Sequence, residues 1–449
     1  MRYETVKSIA LTVLVALSIF LTWSLWTYKP KYEFPDTKYV HKISIADQKD
    51  AAQLIKPIKV LFDIDDEVFG TVYDEDINSI LSQMSTWNIY NLGGARILNP
   101  EKIEELSHPD KGNRVEITFP DLVPFDLYKG ILHFEGDVLP NASFDRIVID
   151  LDGDGKGGSS VSFISTSEGR EYKSNVNAER VATLLNDTRA KKNVYDEYTA
   201  MEIKGPEEKM RTIYVTAKEK QMSINQYAIE YFSPEKFKAA LFRDPAKVRR
   251  DDIHSAGEKY TDDRSLMNVD FTTNMIEYIN PGMETVTETP YSNSDVLKRS
   301  IDFVNEHWGW TGNYRYFNMS LYEKKTIFQL FKNNFPIFNE QGMTSILLNW
   351  GNEEIYRYKR PYFSIKVNIE LPGRIEKVLP SGESVLNKLL KDPNFKPEMF
   401  ESMLIGYKLS KSTELTDVID LEPSWYYLYG GSWIRYDLDD KRGDMGGLE

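Results

Sequence analysis

Cysteine is absent from the 449 residues. Its absence excludes a disulfide framework, a thiol nucleophile, iron–sulfur ligation and zinc sites of cysteine type. It also excludes a lipid anchor built on an N-terminal cysteine. Histidine is scarce: His41, His108, His133, His254 and His307 are scattered, with no H-E-x-x-H and no close pair. No G-x-S-x-G occurs either. Basic charge is in deficit, with 55 Lys and Arg against 69 Asp and Glu and a net charge of −14. Nucleic-acid binding rests on cations that neutralise phosphates, so nucleic acid is not expected as a partner. The one basic cluster, Lys247 with Arg249 and Arg250, is answered at once by Asp251 and Asp252 and reads as a solvated loop.

Charge is missing altogether from Ile9 to Trp26, IALTVLVALSIFLTWSLW. At about 1.5 Å per residue, Ser8 to Tyr28 reaches roughly 31 Å, close to the hydrocarbon thickness of a bilayer. Trp23, Trp26 and Tyr28 crowd its C-terminal end, where amphipathic rings favour the headgroup region, and Lys29 follows them. The run exceeds a signal-peptide core of roughly 7–15 residues and no A-x-A-like site follows, so an uncleaved transmembrane helix is expected. With Arg2 and Lys7 inside, the chain is expected to be single-pass at the cell membrane, its N-terminus cytoplasmic and its remainder extracellular. A large cysteine-free domain in that place leans toward a Gram-positive surface. Residues 1–28 carry Arg2, Lys7 and Glu4, net +1, which leaves the rest at −15. Ser8, Thr12 and Ala16, then Ser18 and Thr22, recur at four-residue spacing. Small and hydroxyl side chains so placed let a second transmembrane helix approach, and these five are the candidate partner contacts.

Beyond the helix, apolar periodicity alternates between helix and strand without regular βαβ spacing, which predicts an α+β fold. Helices are expected at Asp47–Ile55, Asp74–Trp87, Asn177–Asn186, from Ser233-Pro234-Glu235 to Phe242, at Ser294–His307 and at Gly382–Leu390. Strands are expected at Lys59–Ile64, Arg114–Phe119, Asp145–Leu151, Ser160–Ile164, Met267–Phe271, Met275–Ile279, Tyr314–Met319, Thr326–Phe331, Ser345–Trp350, Tyr362–Ile369 and Phe400–Leu409. Arg211–Ala217 and Ser223–Tyr231 read as a strand pair, and Trp425–Tyr429 with Trp433–Asp437 as a hairpin with aromatic cross-strand pairs about Gly430-Gly431. The resulting division is 1–7 cytoplasmic tail, 8–28 transmembrane helix, 29–205 first α+β domain, 206–292 middle domain, 293–438 C-terminal domain and 439–449 charged, glycine-rich tail.

Candidate chemistry is thin. Asp150, Asp152 and Asp154 with Gly155 resemble the first half of a calcium loop, but position 12 is Val161 where a bidentate Glu belongs. An Asp/Gly turn between two strands is the plainer reading. Ser233-Pro-Glu-Lys236 fits S-x-x-K without a companion K-T-G, and a helix-cap role accounts for Ser233. Asp63, Asp65, Asp66 and Glu67 cluster after a strand, as acids in so acidic a chain will. No catalytic residue, metal or cofactor is assigned.

The block MRYETVKSIALTVLVALSIFLTWSLWTYKPKYE resembles the N-terminus of the YycH family. Phe328-Gln-Leu-Phe through Phe335-Pro336-Ile-Phe338, the run from Trp350 to Arg360-Pro361 and the aromatic C-terminal hairpin are similar to that family as well. The resemblance implies a membrane-anchored accessory regulator of the WalK–WalR two-component system, working with a YycI-like protein on the sensor histidine kinase through transmembrane helices. It implies an elongated ectodomain and no catalytic motif, and it places the partner contact on residues 8–28. Two other readings compete: an extracytoplasmic binding module for a wall glycan or protein on a passive anchor, and a wall-modifying hydrolase.

Overall fold

The structure, a computed structural model, describes residues 7, 11, 13–22, 43–44, 46–107, 112–136, 138–153, 158–205, 209–284, 291–369, 376–413 and 415–437. Residues 1–41 and 42–449 form two separate units. In the first, residues 13–22 are helical, every described side chain is exposed, and Leu14, Ile19 and Phe20 are 62 %, 66 % and 59 % accessible. Among the described residues no helix is long and apolar enough to cross a membrane. The ten consecutive residues cover only about 15 Å.

The second unit mixes helix and strand, with strand dominant, in line with the α+β expectation. Its N-terminal half is a nine-stranded antiparallel sheet in the order 210–216, 196–204, 67–71, 59–64, 114–124, 143–150, 158–165, 170–177, 96–97. Alternation sorts its faces. Val60, Phe62, Val115, Ile117, Ile147, Ile149, Val161 and Phe163 are buried in one cluster with Ile77, Ile80 and Met84 of the helix Asp74–Met84 and Val181 and Leu184 of the helix Ala178–Lys191. The other face carries charge, and several of its charges are paired: Arg114 with Asp63 (3.5 Å), Arg146 with Glu116 (3.4 Å) and Arg96 with Glu171 (3.1 Å). Arg114, Glu116 and Glu171 are buried, and pairing is what makes that tolerable, since a lone buried charge costs several kcal/mol.

The C-terminal half is built on a fourteen-stranded sheet. Strands from either side of residue 293 interleave in it: Met275–Ile279 pairs with Ile355–Pro361, and Asn225–Tyr231 lies between Val418–Tyr429 and Phe363–Ile369. The expected pairing of 211–217 with 223–231 does not form, because 210–216 pairs with Asp196–Lys204. A near antiparallel neighbour outcompetes the one downstream. The hairpin at Gly430-Gly431 does form, both glycines at positive φ (56° and 79°), as a two-residue turn between right-twisted strands requires. Its cross-strand partners are not aromatic on aromatic: Trp433 faces Leu428, and Trp425 and Tyr426 face Ile405 and Leu404 on the other side.

Candidate functional site

The predicted contact residues divide by what the structure describes. Ala16, Ser18 and Thr22 lie on the exposed helix 13–22, and Thr22 Oγ1 donates to the Ser18 carbonyl at 2.9 Å. That hydroxyl proton is therefore taken within the helix, which leaves Thr22 oxygen lone pairs for a neighbour. Ser8, Thr12, Trp23, Trp26, Tyr28 and Lys29 lie outside the described residues.

The first described residues of the folded unit are gripped by its C-terminal half. Ile43–Ser44 forms a parallel ladder with His307–Trp308, and Ala46 N donates to the Trp308 carbonyl at 3.1 Å. Asn305 clasps the Lys49 backbone from both sides, accepting from its N–H and donating to its carbonyl, each at 2.9 Å. Lys49 Nζ reaches the Gly312 carbonyl at 3.0 Å. The receiving loop, Trp308-Gly309-Trp310, is held in an unusual conformation: Trp308 has φ 92° and is fully buried, stacked 4.2 Å from Phe237. Gly309 has φ 78°, and a Cβ there would stand 2.6 Å from the Ala46 carbonyl oxygen. Glycine is what lets the two backbones touch. Arg360, fully buried, braces the loop by donating to the Gly309 carbonyl (3.0 Å), Thr311 Oγ1 (3.0 Å) and the Tyr358 hydroxyl (2.9 Å). His307 stacks on Phe303, donates Nδ1–H to that residue's carbonyl and is held below the usual histidine range by burial.

A second junction joins the two halves. Arg315, buried, takes both carboxylate oxygens of Asp74 at 2.7 and 2.6 Å and donates to Asn334, which itself donates to the Val72 carbonyl. Tyr316 donates to the Leu122 carbonyl at 2.8 Å, and Asp121 accepts from Met319 N at 2.7 Å. Burial raises the Asp121 carboxyl to about 6 despite backbone donors that favour the charged form.

The residues weighed for chemistry are engaged structurally. Asp152 accepts two bonds from Asn113 at 2.8 and 2.7 Å, and Asp150 accepts from Asp152 N, which is turn geometry; Asp154 lies outside the described residues. Among the described residues no acid and histidine cluster could hold a metal ion. Asp65 and Asp66 form a positive-φ hairpin turn (55° and 63°), Asp65 pairs with Arg189 at 2.9 Å, and Glu67 pairs with Lys192. Ser233 sits at a helix N-cap, but its hydroxyl makes no capping bond, contrary to the cap role expected of it; Lys236 lies 5.8 Å from the Trp308 ring centroid. Trp425 and Tyr426 are buried, Tyr426 lies 4.2 Å from Phe338, and Trp425 Nε1 donates to the Pro380 carbonyl at 2.9 Å. The grip and the inter-half junction had no sequence signal beyond the tryptophans and the Trp350–Arg360 run.

This arrangement is that of a sheet-dominated α+β protein whose ionisable groups hold its own halves together. The YycH protein N-terminal domain matches residues 4–193 and the YycH protein C-terminal domain matches residues 210–443, so the chain belongs to the YycH family. It is 24 % identical over 486 aligned positions, covering 100 % of both chains, to the two-component system WalR/WalK regulatory protein YycH of Bacillus subtilis (strain 168). The crystal structure of YycH from Bacillus subtilis superposes with a TM-score of 0.71 at 20 % identity, over 89 % of this chain and 100 % of that one. That likeness shows the fold.

Proposed function

We propose that this chain is a non-catalytic, membrane-anchored regulator of a WalK-like sensor histidine kinase controlling cell-wall metabolism, acting with a YycI-like partner. One observation carries the reading: end-to-end similarity to a protein named as a WalR/WalK regulator, through both family domains. The anchor is residues 8–28, with the N-terminus cytoplasmic and the remainder outside the cell. The apolar, uncharged run and its exposed described stretch support this. The physical mechanism is population shift. A kinase's output depends on an equilibrium between helix arrangements, and an added helix moves it only by packing better on one of them. A bias of about 1.4 kcal/mol changes the ratio tenfold, within reach of a few interhelical contacts averaging about 0.6 kcal/mol each. Ser8, Thr12, Ala16, Ser18 and Thr22 are the proposed contacts, with Trp23, Trp26, Tyr28 and Lys29 fixing the depth. The grip on residues 43–50 supplies a route by which the folded unit could bear on the segment leading to the helix.

The test replaces Ser8, Thr12 and Ala16 together by Leu and reads a kinase-dependent reporter at matched protein level. Loss of regulation is expected. Unaltered regulation would count against helix contact and return weight to a binding module on a passive tether.

A further inference from the structure

Residues 46–50 are exposed or half-buried, and they are held by hydrogen bonds: Ala46 N to the Trp308 carbonyl, the Asn305 clasp on Lys49, and Lys49 Nζ to the Gly312 carbonyl. Apolar burial begins immediately beyond them. Ala51 packs against the core, Leu54 and Ile55 are fully buried, and the short helix Ala51–Leu54 is closed by a capping box between Asp50 and Gln53. A segment bonded along its length by polar groups and pinned at its end by buried side chains can peel without disturbing the core behind it. The receiving loop carries the opposite tendency. Trp308 combines a left-handed backbone (φ 92°), which a bulky side chain rarely adopts, with a buried indole N–H that has no partner among the described residues. The two sides share their bonds. Asn305 Oδ1 accepts from Lys49 N at 2.9 Å and from Trp310 Nε1 at 2.7 Å, and Trp310 N donates to the Asp47 carbonyl at 3.4 Å.

We propose that residues 43–50 form a releasable strap and that Trp308-Gly309-Trp310 is the spring beneath it. In the held state the strap's bonds keep Trp308 at positive φ. On release the strap peels back to Asp50, and the Trp308 backbone relaxes to an ordinary conformation with its ring still stacked on Phe237. Residues 43–50 then join the chain that leads to the apolar run. Strain at Trp308 works against the bonds of the strap, which brings the held and released states close enough for a modest pull to shift the balance. Such strain persists only where the surroundings over-determine it, and here Arg360 on the Gly309 carbonyl and Ala46 on the Trp308 carbonyl do so. The two states belong to the folded unit and are tested without the kinase; only their use in regulation rests on the proposed function.

The experiment follows amide hydrogen exchange by mass spectrometry on the full chain in lipid nanodiscs. Peptides spanning 46–50 and 308–312 are expected to open together, with protection alike within about threefold and at least about tenfold below that of the strand Lys59–Ile64. Asn305→Ala removes both bonds to the Lys49 backbone and should speed that common opening about tenfold or more. Trp308→Gly separates strain from packing, because a ring packed alike in both states cancels. Glycine takes positive φ at no steric cost, so a spring predicts slower opening of the strap in this variant, where a merely structural tryptophan predicts faster opening. The native chain and Asn305→Ala decide the matter even where Trp308→Gly folds poorly. Strap and loop opening independently, a strap as protected as Lys59–Ile64, no effect of Asn305→Ala, or faster opening in a folded Trp308→Gly overturns the proposal.

Discussion

The helix 13–22 and the folded unit beyond residue 42 treat apolar side chains in opposite ways. Leu14, Ile19 and Phe20 are 62 %, 66 % and 59 % exposed, whereas Phe62, Phe125 and Leu297 are fully buried. In water the first pattern is unstable, since each such side chain buried is worth about 1.5–3 kcal/mol. Along the described helix the apolar side chains are left uncovered. The folded unit covers its apolar side chains and pairs the buried cations Arg114 with Asp63 and Arg315 with Asp74. Substitutions in the unit should therefore register as stability, and substitutions in the helix as regulation.

The largest effect should come from the junction between halves. Asp74→Ala strips the buried Arg315 of its carboxylate, and a loss of about 3–5 kcal/mol is expected in denaturant unfolding. A loss below about 1 kcal/mol would mean that Asn334 alone can carry the guanidinium. Next is a pH effect at Asp121. Its carboxyl is raised to about 6 in the fold, so the native state binds the extra proton between the ordinary carboxylate value near 3.9 and 6. Stability should fall as pH rises through that window, by at most about 3 kcal/mol, and Asp121→Asn should remove this part of the dependence. A profile unchanged in the variant contradicts the assignment.

Gly309→Ala should cost about 1–3 kcal/mol, because it combines a left-handed backbone with a Cβ 2.6 Å from the Ala46 oxygen. Faster hydrogen exchange at Ala46 than in the distant strand Ile147–Asp150 would show that the grip on residues 43–50 gives way first. Smallest in stability is Ala16→Leu with Thr22→Leu, expected to move unfolding of the folded unit by less than about 0.5 kcal/mol while changing kinase output.

Much of the local structure was legible. The strand Lys59–Ile64, the start of the helix 178–191 at Asn177 (expected to end at Asn186), the hairpin 266–270 with 275–279 to within a residue and the turn at Gly430-Gly431 follow from periodicity, caps and turn chemistry. Partnership was not. Alternation says which face of a strand is buried but not which strand lies beside it, so the placement of 225–231 next to 363–369, far along the chain, was invisible. For the same reason Arg315 gave no hint of Asp74, nor Asn305 of Lys49. For the proposed helix contacts the sequence offers only the spacing of small residues at 8, 12, 16, 18 and 22.

The most direct test of the account compares three versions in cells: the intact chain, residues 1–35 alone, and residues 29–449 on an unrelated transmembrane anchor. Each is scored for kinase association and for a kinase-dependent reporter. The account predicts that residues 1–35 associate with the kinase and shift its output, while the foreign-anchored version does not. If only the foreign-anchored version keeps activity, the helix is a passive tether and the regulatory surface lies in the folded unit.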